Sequence, residues 1–214
     1  MKKKLLLYGG GGHCKSVIDV IECTGVYEIE GIIDREENVG KLVLGHRIIG
    51  SDKDLPALLK NCPNIHISFG FIKNSENRRK AAEMLESLGA VFPVIISPRA
   101  HVSAHARIMP GTIVMHGAIV NAASEVGCHC ILNTNSLIEH DSVVGNHCHI
   151  STSSTVNGTC TIGDDVFFGS GSVMGNNLLI CSGTVIGSGS VVVKPIEEPG
   201  IYAGNPCRLI KNRG

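Results

Sequence analysis

From Val102 to Val192 an aliphatic or similar residue recurs at every sixth position, sixteen times without an insertion. The run includes Val114, Leu132, Ile150, Phe168 and Ile186. Against a background of about 45% apolar residues, its chance probability is on the order of 1 in 100,000 or less. Neither the period of a helix nor that of a strand produces a strict six. Four places after the aliphatic the residue is small in most repeats, Ala106, Thr112, Ser124, Cys130 and Cys148 among them. Glycine follows the aliphatic directly at Gly127, Gly145, Gly163, Gly169, Gly175 and Gly187, where turns are expected to need it. The six-residue period is the signature of a parallel β-helix.

The front of the chain is patterned differently. Lys4 to Tyr8 predicts a short apolar strand and Gly9 to Gly12 a turn, followed by a helix with Val17, Ile18, Val20 and Ile21 on its buried face. Glu28 to Ile33 predicts a second strand ending at Asp34, and Ser51 caps a short helix running to Lys60. Ile65 to Phe69 predicts a third strand, and Ser75 to Leu88 a charged helix. Such alternation implies a small, parallel, Rossmann-like α/β sheet. With Pro93 to Pro98 as a hinge, the expected division is an α/β domain over 1–95 and a β-helix domain with a C-terminal tail over 96–214.

Composition sharpens this picture. The chain is 43% apolar but only 4% aromatic and has no tryptophan, so its core must be filled by small aliphatic side chains. Basic and acidic residues balance at 19 each, which gives no support for a nucleic-acid surface or a polybasic membrane anchor. The apolar run Leu5 to Tyr8 is too short for a signal peptide, and no apolar stretch is long enough to span a membrane. Nine cysteines without an export signal imply free thiols and a cytoplasmic location.

Two segments carry candidate chemistry. The glycine run fails the dinucleotide fingerprint, because the third glycine of G-x-G-x-x-G would fall at Cys14 or Lys15. A glycine-rich turn before a helix still offers backbone N–H groups and the helix dipole to a phosphate. Asp34, about twenty positions on, is placed to bond a ribose or base. A tight turn without a ligand fits the same residues. Inside the repeat, His140 lies between Glu139 and Asp141. An imidazole flanked by carboxylates can have its tautomer fixed and its basicity raised, as a general base near neutral pH requires. His149 follows half a coil later, and a solvated polar face is the plain alternative for both.

The repeat resembles the left-handed parallel β-helix of the hexapeptide acyltransferases. There three hexapeptides form one triangular coil, and residues eighteen apart stack about 4.8 Å from each other. The whole chain resembles the bacterial nucleotide-linked 4-amino-sugar N-acetyltransferases and sialic acid O-acetyltransferases. It does so at Tyr8-Gly9-Gly10-Gly11-Gly12-His13, at Ile131-Leu132-Asn133 through Ile138-Glu139-His140-Asp141, and at Tyr202-Ala203-Gly204-Asn205-Pro206. The resemblance implies acetyl-CoA as co-substrate, no metal, a UDP-linked 4-amino sugar as acceptor, and a homotrimer with CoA between neighbouring prisms. It implies that His140 takes a proton from the acceptor amine while Asp141 polarises it. Asn133, His149, Ser170 and Ser188 are implied at acetyl-CoA, with His149 near the acetyl group to stabilise developing charge. Gly11, Gly12, His13, Asp34, Arg35 and Gly70 are implied at the nucleotide sugar. The chain departs from the family at three of these positions. Asp141 stands where the amino-sugar branch carries glutamate, Gly11 replaces a common serine, and Arg35 stands where some members have a second acid.

Three other readings compete. Cys128-His129-Cys130 and His147-Cys148-His149 hold six potential metal ligands. However, Cys130 and Cys148 fall in the small inward column and read as core thiols. No two histidines are five apart, as the zinc pattern of the γ-class carbonic anhydrases needs. A nucleotide-sensing β-helix without catalysis would make His140 dispensable. Transfer to the hydroxyl of a sialic-acid-type sugar is the third reading, since the same histidine serves an amine or a hydroxyl.

Overall fold

In the computed structural model, which describes residues 2–212, the front of the chain is organised by three adjacent leucines. Leu5, Leu6 and Leu7 of β1 (Lys3–Tyr8) are all fully buried, because a central parallel strand is covered on both faces. Its parallel neighbours are β2 (Tyr27–Ile33) and β5 (Ile65–Ile67). α1 (Gly12–Thr24) packs Val17, Ile18, Val20 and Ile21 against one side and ends in a left-handed cap at Gly25. α2 (Leu55–Asn61) and α3 (Glu76–Ser87) cover the other side. β4 (His46–Gly50) runs parallel to β2, and β3 (Leu42–Val43) pairs antiparallel with β4, giving the order β3-β4-β2-β1-β5. The β3–β4 hairpin departs from the expected alternation. Its turn residues Leu44 and Gly45 both have positive φ, as a tight hairpin requires, but Leu-Gly is not a typical hairpin dipeptide. Ser51 caps a 3-10 turn that leads into α2 rather than α2 itself.

From β6 (Ile95–Ile96) to β22 (Val191–Val192), two-residue strands follow at six-residue steps. β6 lies inside the segment expected as a hinge, where Ile95 and Ile96 pair with Ile113 and Val114. Each strand pairs in parallel with those eighteen residues away, as Ile131 does with Ile113 and His149. The strands build three faces of a left-handed parallel β-helix. The first face holds β6, β9, β12, β15, β18 and β21, extended by β23 (Gly200–Ala203) and β24 (Arg208–Asn212). The second holds β7 to β22 and the third β8 to β20, each at every third strand.

The inward column is as the period predicts: Val120, Leu132, Ile150, Phe168 and Ile186 are fully buried. Each such side chain contributes roughly 1.5–3 kcal/mol. The small column does more than fit. Ser124 Oγ donates to the Glu139 carbonyl (2.7 Å), Ser142 Oγ to Asn157 (2.9 Å) and Ser172 Oγ to Gly187 (2.8 Å). Cys130 Sγ does the same to Gly145 at 3.0 Å. A buried polar group left unpaired costs about 1–3 kcal/mol, and at these four positions the coil geometry supplies the partner that avoids it.

The glycines after the aliphatics are not at positive φ. The left-handed residues are the corners, three places after the aliphatic, such as His129, Asn135, Asp141 and His147 at φ of 55–58°. Gly127 and Gly145 meet a different need, because a Cβ there would stand 2.7 and 2.8 Å from the backbone of the next coil.

The α/β domain roofs the first face. Ile113 and Ile131 join Val17 and Ile18 in one apolar cluster, while Ile119 and Val143 on the other two faces stay exposed. Polar ties cross the same seam: Ser75 to Asp165, Asp19 to His116, and Glu86 to His129. Among the described residues no helix is long and apolar enough to cross a membrane. All nine cysteines are free.

Candidate active site

A cavity of about 900 Å³ opens where the glycine run leaves β1. Tyr8, Gly9, Gly10, Gly11, Asp34, Arg35 and Phe69 line it, with Lys53 and Lys80. Gly9 has a φ of +106°, and a Cβ on it would lie 2.7 Å from the Phe69 ring. α1 begins at the cavity edge with no side-chain cap from Gly11, which leaves first-turn N–H groups and the positive end of the dipole for an anion. Asp34 is already engaged. It accepts from the Arg35 N–H (2.7 Å), from Asn38 Nδ2 (2.8 Å) and from the Gly10 N–H. Burial raises its pKa, but the hydrogen bonds from Asn38, Gly10 and Arg35 outweigh this and hold it below the usual value. Asp34 therefore ties the glycine turn to the end of β2, and one of a carboxylate's roughly four lone-pair sites remains for a ligand. The Arg35 side chain is exposed, with Glu37 at 3.9 Å.

Three residues expected at the nucleotide sugar lie off the cavity wall. Gly12 is exposed in the first turn of α1. His13 turns toward the β-helix, its ring centre 6.3 Å from that of His149, and burial pushes its pKa down to about 4. Gly70 also abuts His149, where a Cβ would be 3.6 Å from the ring.

His149, Asn133, Ser170 and Ser188 sit on the first face or along the edge that follows it. His149 donates Nδ1–H to the Phe71 carbonyl (2.9 Å), and its Nε2 accepts from Asn133 Nδ2 (3.1 Å). Asn133 Oδ1 is fixed in turn by the Thr134 N–H at 2.8 Å. Burial pushes the His149 pKa down to about 4. The imidazole is neutral with both nitrogens engaged, so it has no N–H free for developing charge, contrary to the role expected of it. The free donor at this point is the second N–H of Asn133. Ser170 Oγ lies 2.8 Å from Ser151 Oγ, and Ser188 is exposed.

His140 and Asp141 occupy the edge between the second and third faces. Asp141 Oδ2 lies 2.8 Å from His140 Nδ1, and both side chains are more than half exposed. Asp141 takes the left-handed corner at φ 58°, which aspartate tolerates, and the shorter acid reaches the ring. The bond puts the proton on Nδ1 and leaves the Nε2 lone pair free. Glu139 does not flank the ring. Its Oε2 accepts instead from Asn121 Nδ2 (2.9 Å) and from the His140 backbone N–H (3.3 Å). The ring rests over Gly158 of the next coil, where a Cβ would stand 2.7 and 2.8 Å from Cε1 and Nε2.

One chain does not unite these parts. The cavity, His149 and Asn133 lie on the side of the first face, whereas His140 occupies the opposite edge of the three-sided prism. The two Cys/His runs do not converge on a metal either. Cys130 and Cys148 face the core, and the His129 and His147 rings stack 5.2 Å apart at the domain seam. Among the described residues the potential ligands that converge are Asp19, Cys23 and His116, where His116 Nε2 pairs with Asp19 at 2.9 Å.

The sequence profile of the PglD N-terminal domain matches residues 4–85. No curated protein matches the chain. Among solved structures, the acetyltransferase domain of PglB from Neisseria gonorrhoeae FA1090 is 31% identical with a TM-score of 0.89, covering 98% of this chain and 100% of that one. The same domain has been solved in complex with acetyl coenzyme A. PerB from Caulobacter crescentus, in complex with CoA and GDP-perosamine, is 29% identical with a TM-score of 0.89, covering 99% and 97%. WeeI from Acinetobacter baumannii AYE shares the fold at 22% identity and a TM-score of 0.84, over 98% and 100%. With a 31% match that spans a whole acetyltransferase domain, this chain belongs to the hexapeptide-repeat family of nucleotide-sugar acetyltransferases, which take their acetyl group from acetyl-CoA.

Proposed function

We propose that this chain acetylates the amino group of a nucleotide-linked 4-amino sugar, with His140 as general base and a homotrimer as the active form. The observation that carries the reading is the His140–Asp141 pair, a half-exposed imidazole held through Nδ1 so that its Nε2 keeps the lone pair. The α/β domain over 1–95 holds the acceptor, its diphosphate against the first turn of α1 and the cavity's lysines. The β-helix domain over 96–214 holds acetyl-CoA along the edge marked by Ser170 and Ser188, and supplies the base. UDP is the nucleotide that the family resemblance implies, and GDP is that of the PerB ligand. Arg35 at the cavity offers donors to a carbonyl of either base.

The amine attacks the thioester carbonyl directly. The C–N bond forms first and gives a tetrahedral oxyanion, whose collapse breaks the C–S bond. The proton lost from nitrogen passes to His140 Nε2 and then to the CoA thiolate. Asp141 holds the ring and stabilises the imidazolium that forms. The Asn133 amide takes the oxyanion role expected of His149, and His149 fixes that amide. No acyl-enzyme is needed. The nearby Cys148 thiol is core-facing and its pKa is raised by burial, which suppresses the thiolate.

Two features support the trimer. Ile119, Val143 and Leu179 leave aliphatic surface exposed on the second and third faces. His140 also lies across the prism from its own cavity, so a threefold arrangement would complete three equivalent sites between copies. Initial rates varied in both substrates should give intersecting double-reciprocal lines, as a ternary complex requires. Parallel lines would mean an acetylated enzyme and would remove direct attack.

A further inference from the structure

We infer that Arg78 is a positioning residue for this transfer: buried at the domain seam, it clamps the loop after β5 so that the acceptor cavity and His149 keep one fixed relation. The inference rests on the function proposed above.

Arg78 in α3 is 1% exposed and heads the largest fully buried side chains. Its Nη1 donates to the carbonyls of Ile67 (2.7 Å) and Phe69 (2.6 Å), and its Nε reaches the His129 carbonyl of the β-helix (3.3 Å). Burial pushes its pKa down to about 10, so it stays a cation at neutral pH. Among the described residues no carboxylate forms an ion pair with it. The titratable groups around it are Cys130, whose thiol partly offsets the effect of burial on Arg78, and His13, His66, His129, His147 and His149. In each of these histidines the Arg78 charge adds to burial in lowering the pKa. A closed-in cation without a counter-ion destabilises the fold. What it provides in return is geometry: one planar fork fixes backbone from both domains.

That backbone leads to both halves of the site. The Phe69 ring forms cavity wall and presses on Gly9. Two residues later the Phe71 carbonyl accepts the His149 Nδ1–H, and the Phe71 ring packs 5.7 Å from His149 and 6.2 Å from Phe167. His149 sets the Asn133 amide. One guanidinium thus joins the acceptor wall to the donor side through the five residues from Ile67 to Phe71. Lysine would keep the charge but not the fixed directions of the donors.

The test compares the full-length chain with Arg78→Lys and Arg78→Met. Arg78→Lys should raise KM for nucleotide sugar and for acetyl-CoA about tenfold each, as expected when one charge-assisted hydrogen bond is lost. Its kcat per folded molecule should fall as well, because the same clamp holds, through Phe71 and His149, the Asn133 amide that takes the oxyanion role. A purely structural role would lower the folded fraction and leave both KM values alone. An independent readout is the His149 Nδ1–H signal in histidine-labelled NMR, protected from exchange in the wild type and exposed in Arg78→Lys. If the function proposed above is wrong, the wild type shows no turnover and this signal still decides the clamp. Should Arg78→Met fail to fold, the lysine variant decides alone. An active Arg78→Lys with both KM values unchanged, or with His149 Nδ1–H still protected, overturns the inference.

Discussion

Replacing His140 by alanine is expected to lower kcat by about 100- to 10,000-fold, the usual contribution of general-base catalysis, with little change in either KM. The expectation follows from where the ring sits. It stands more than half exposed at a corner of the prism, so its removal opens no cavity in the core and the fold should be unaffected. Asp141 holds its Nδ1 at 2.8 Å, so Asp141→Ala should cost less, because it disturbs the base without removing it. Steady-state kinetics on both variants with a common acceptor would check this. A His140→Ala enzyme within a factor of about three of wild type would sink the mechanism and favour a β-helix whose histidine is dispensable.

Mixing two inactive variants should restore activity. Gly11 lines the cavity, its φ is −76°, and a Cβ there meets nothing within 4 Å. Gly11→Phe therefore fills the acceptor site without straining the backbone. Alone it should be inactive, as should His140→Ala. Because His140 lies opposite its own cavity, each site would draw its base from one copy and its cavity from another. In trimers formed at random from equal amounts, a site then has one chance in two of an intact base and one in two of an intact cavity. About a quarter of wild-type activity should return. A site confined to a single chain would never be whole in such a mixture, and the activity would stay at background.

How far the residues alone disclose this architecture differs from one feature to the next. The β-helix is legible because each coil repeats the same physical demand, an aliphatic inward every six residues. The small column is legible only as size, since its hydroxyl and thiol bonds to carbonyls fifteen residues on become visible when coils are stacked. The repeat glycines suggest turns, whereas the coil above dictates them. The Leu44–Gly45 hairpin is hidden because its turn lacks the usual residues. His140 stands out by its flanking acids, but neighbours at a corner diverge, and Glu139 turns to Asn121. Gly158 and Arg78 gave no local sign. The first matters only eighteen residues from the ring it seats. The second sits in a highly charged helix and is betrayed only by sharing a face with Ala81, Ala82 and Leu85.

Transfer of acetyl to nitrogen is the claim on which the rest depends. It is tested most directly by incubating the purified chain with acetyl-CoA and a panel of UDP- and GDP-linked 4-amino sugars and sialic acids, following free CoA and product mass together. The predicted result is one nucleotide-linked amino sugar gaining a single acetyl group on its amine, with one CoA released per product. Acetylation of sialic acid hydroxyls alone, or no CoA release with any acceptor, would contradict it.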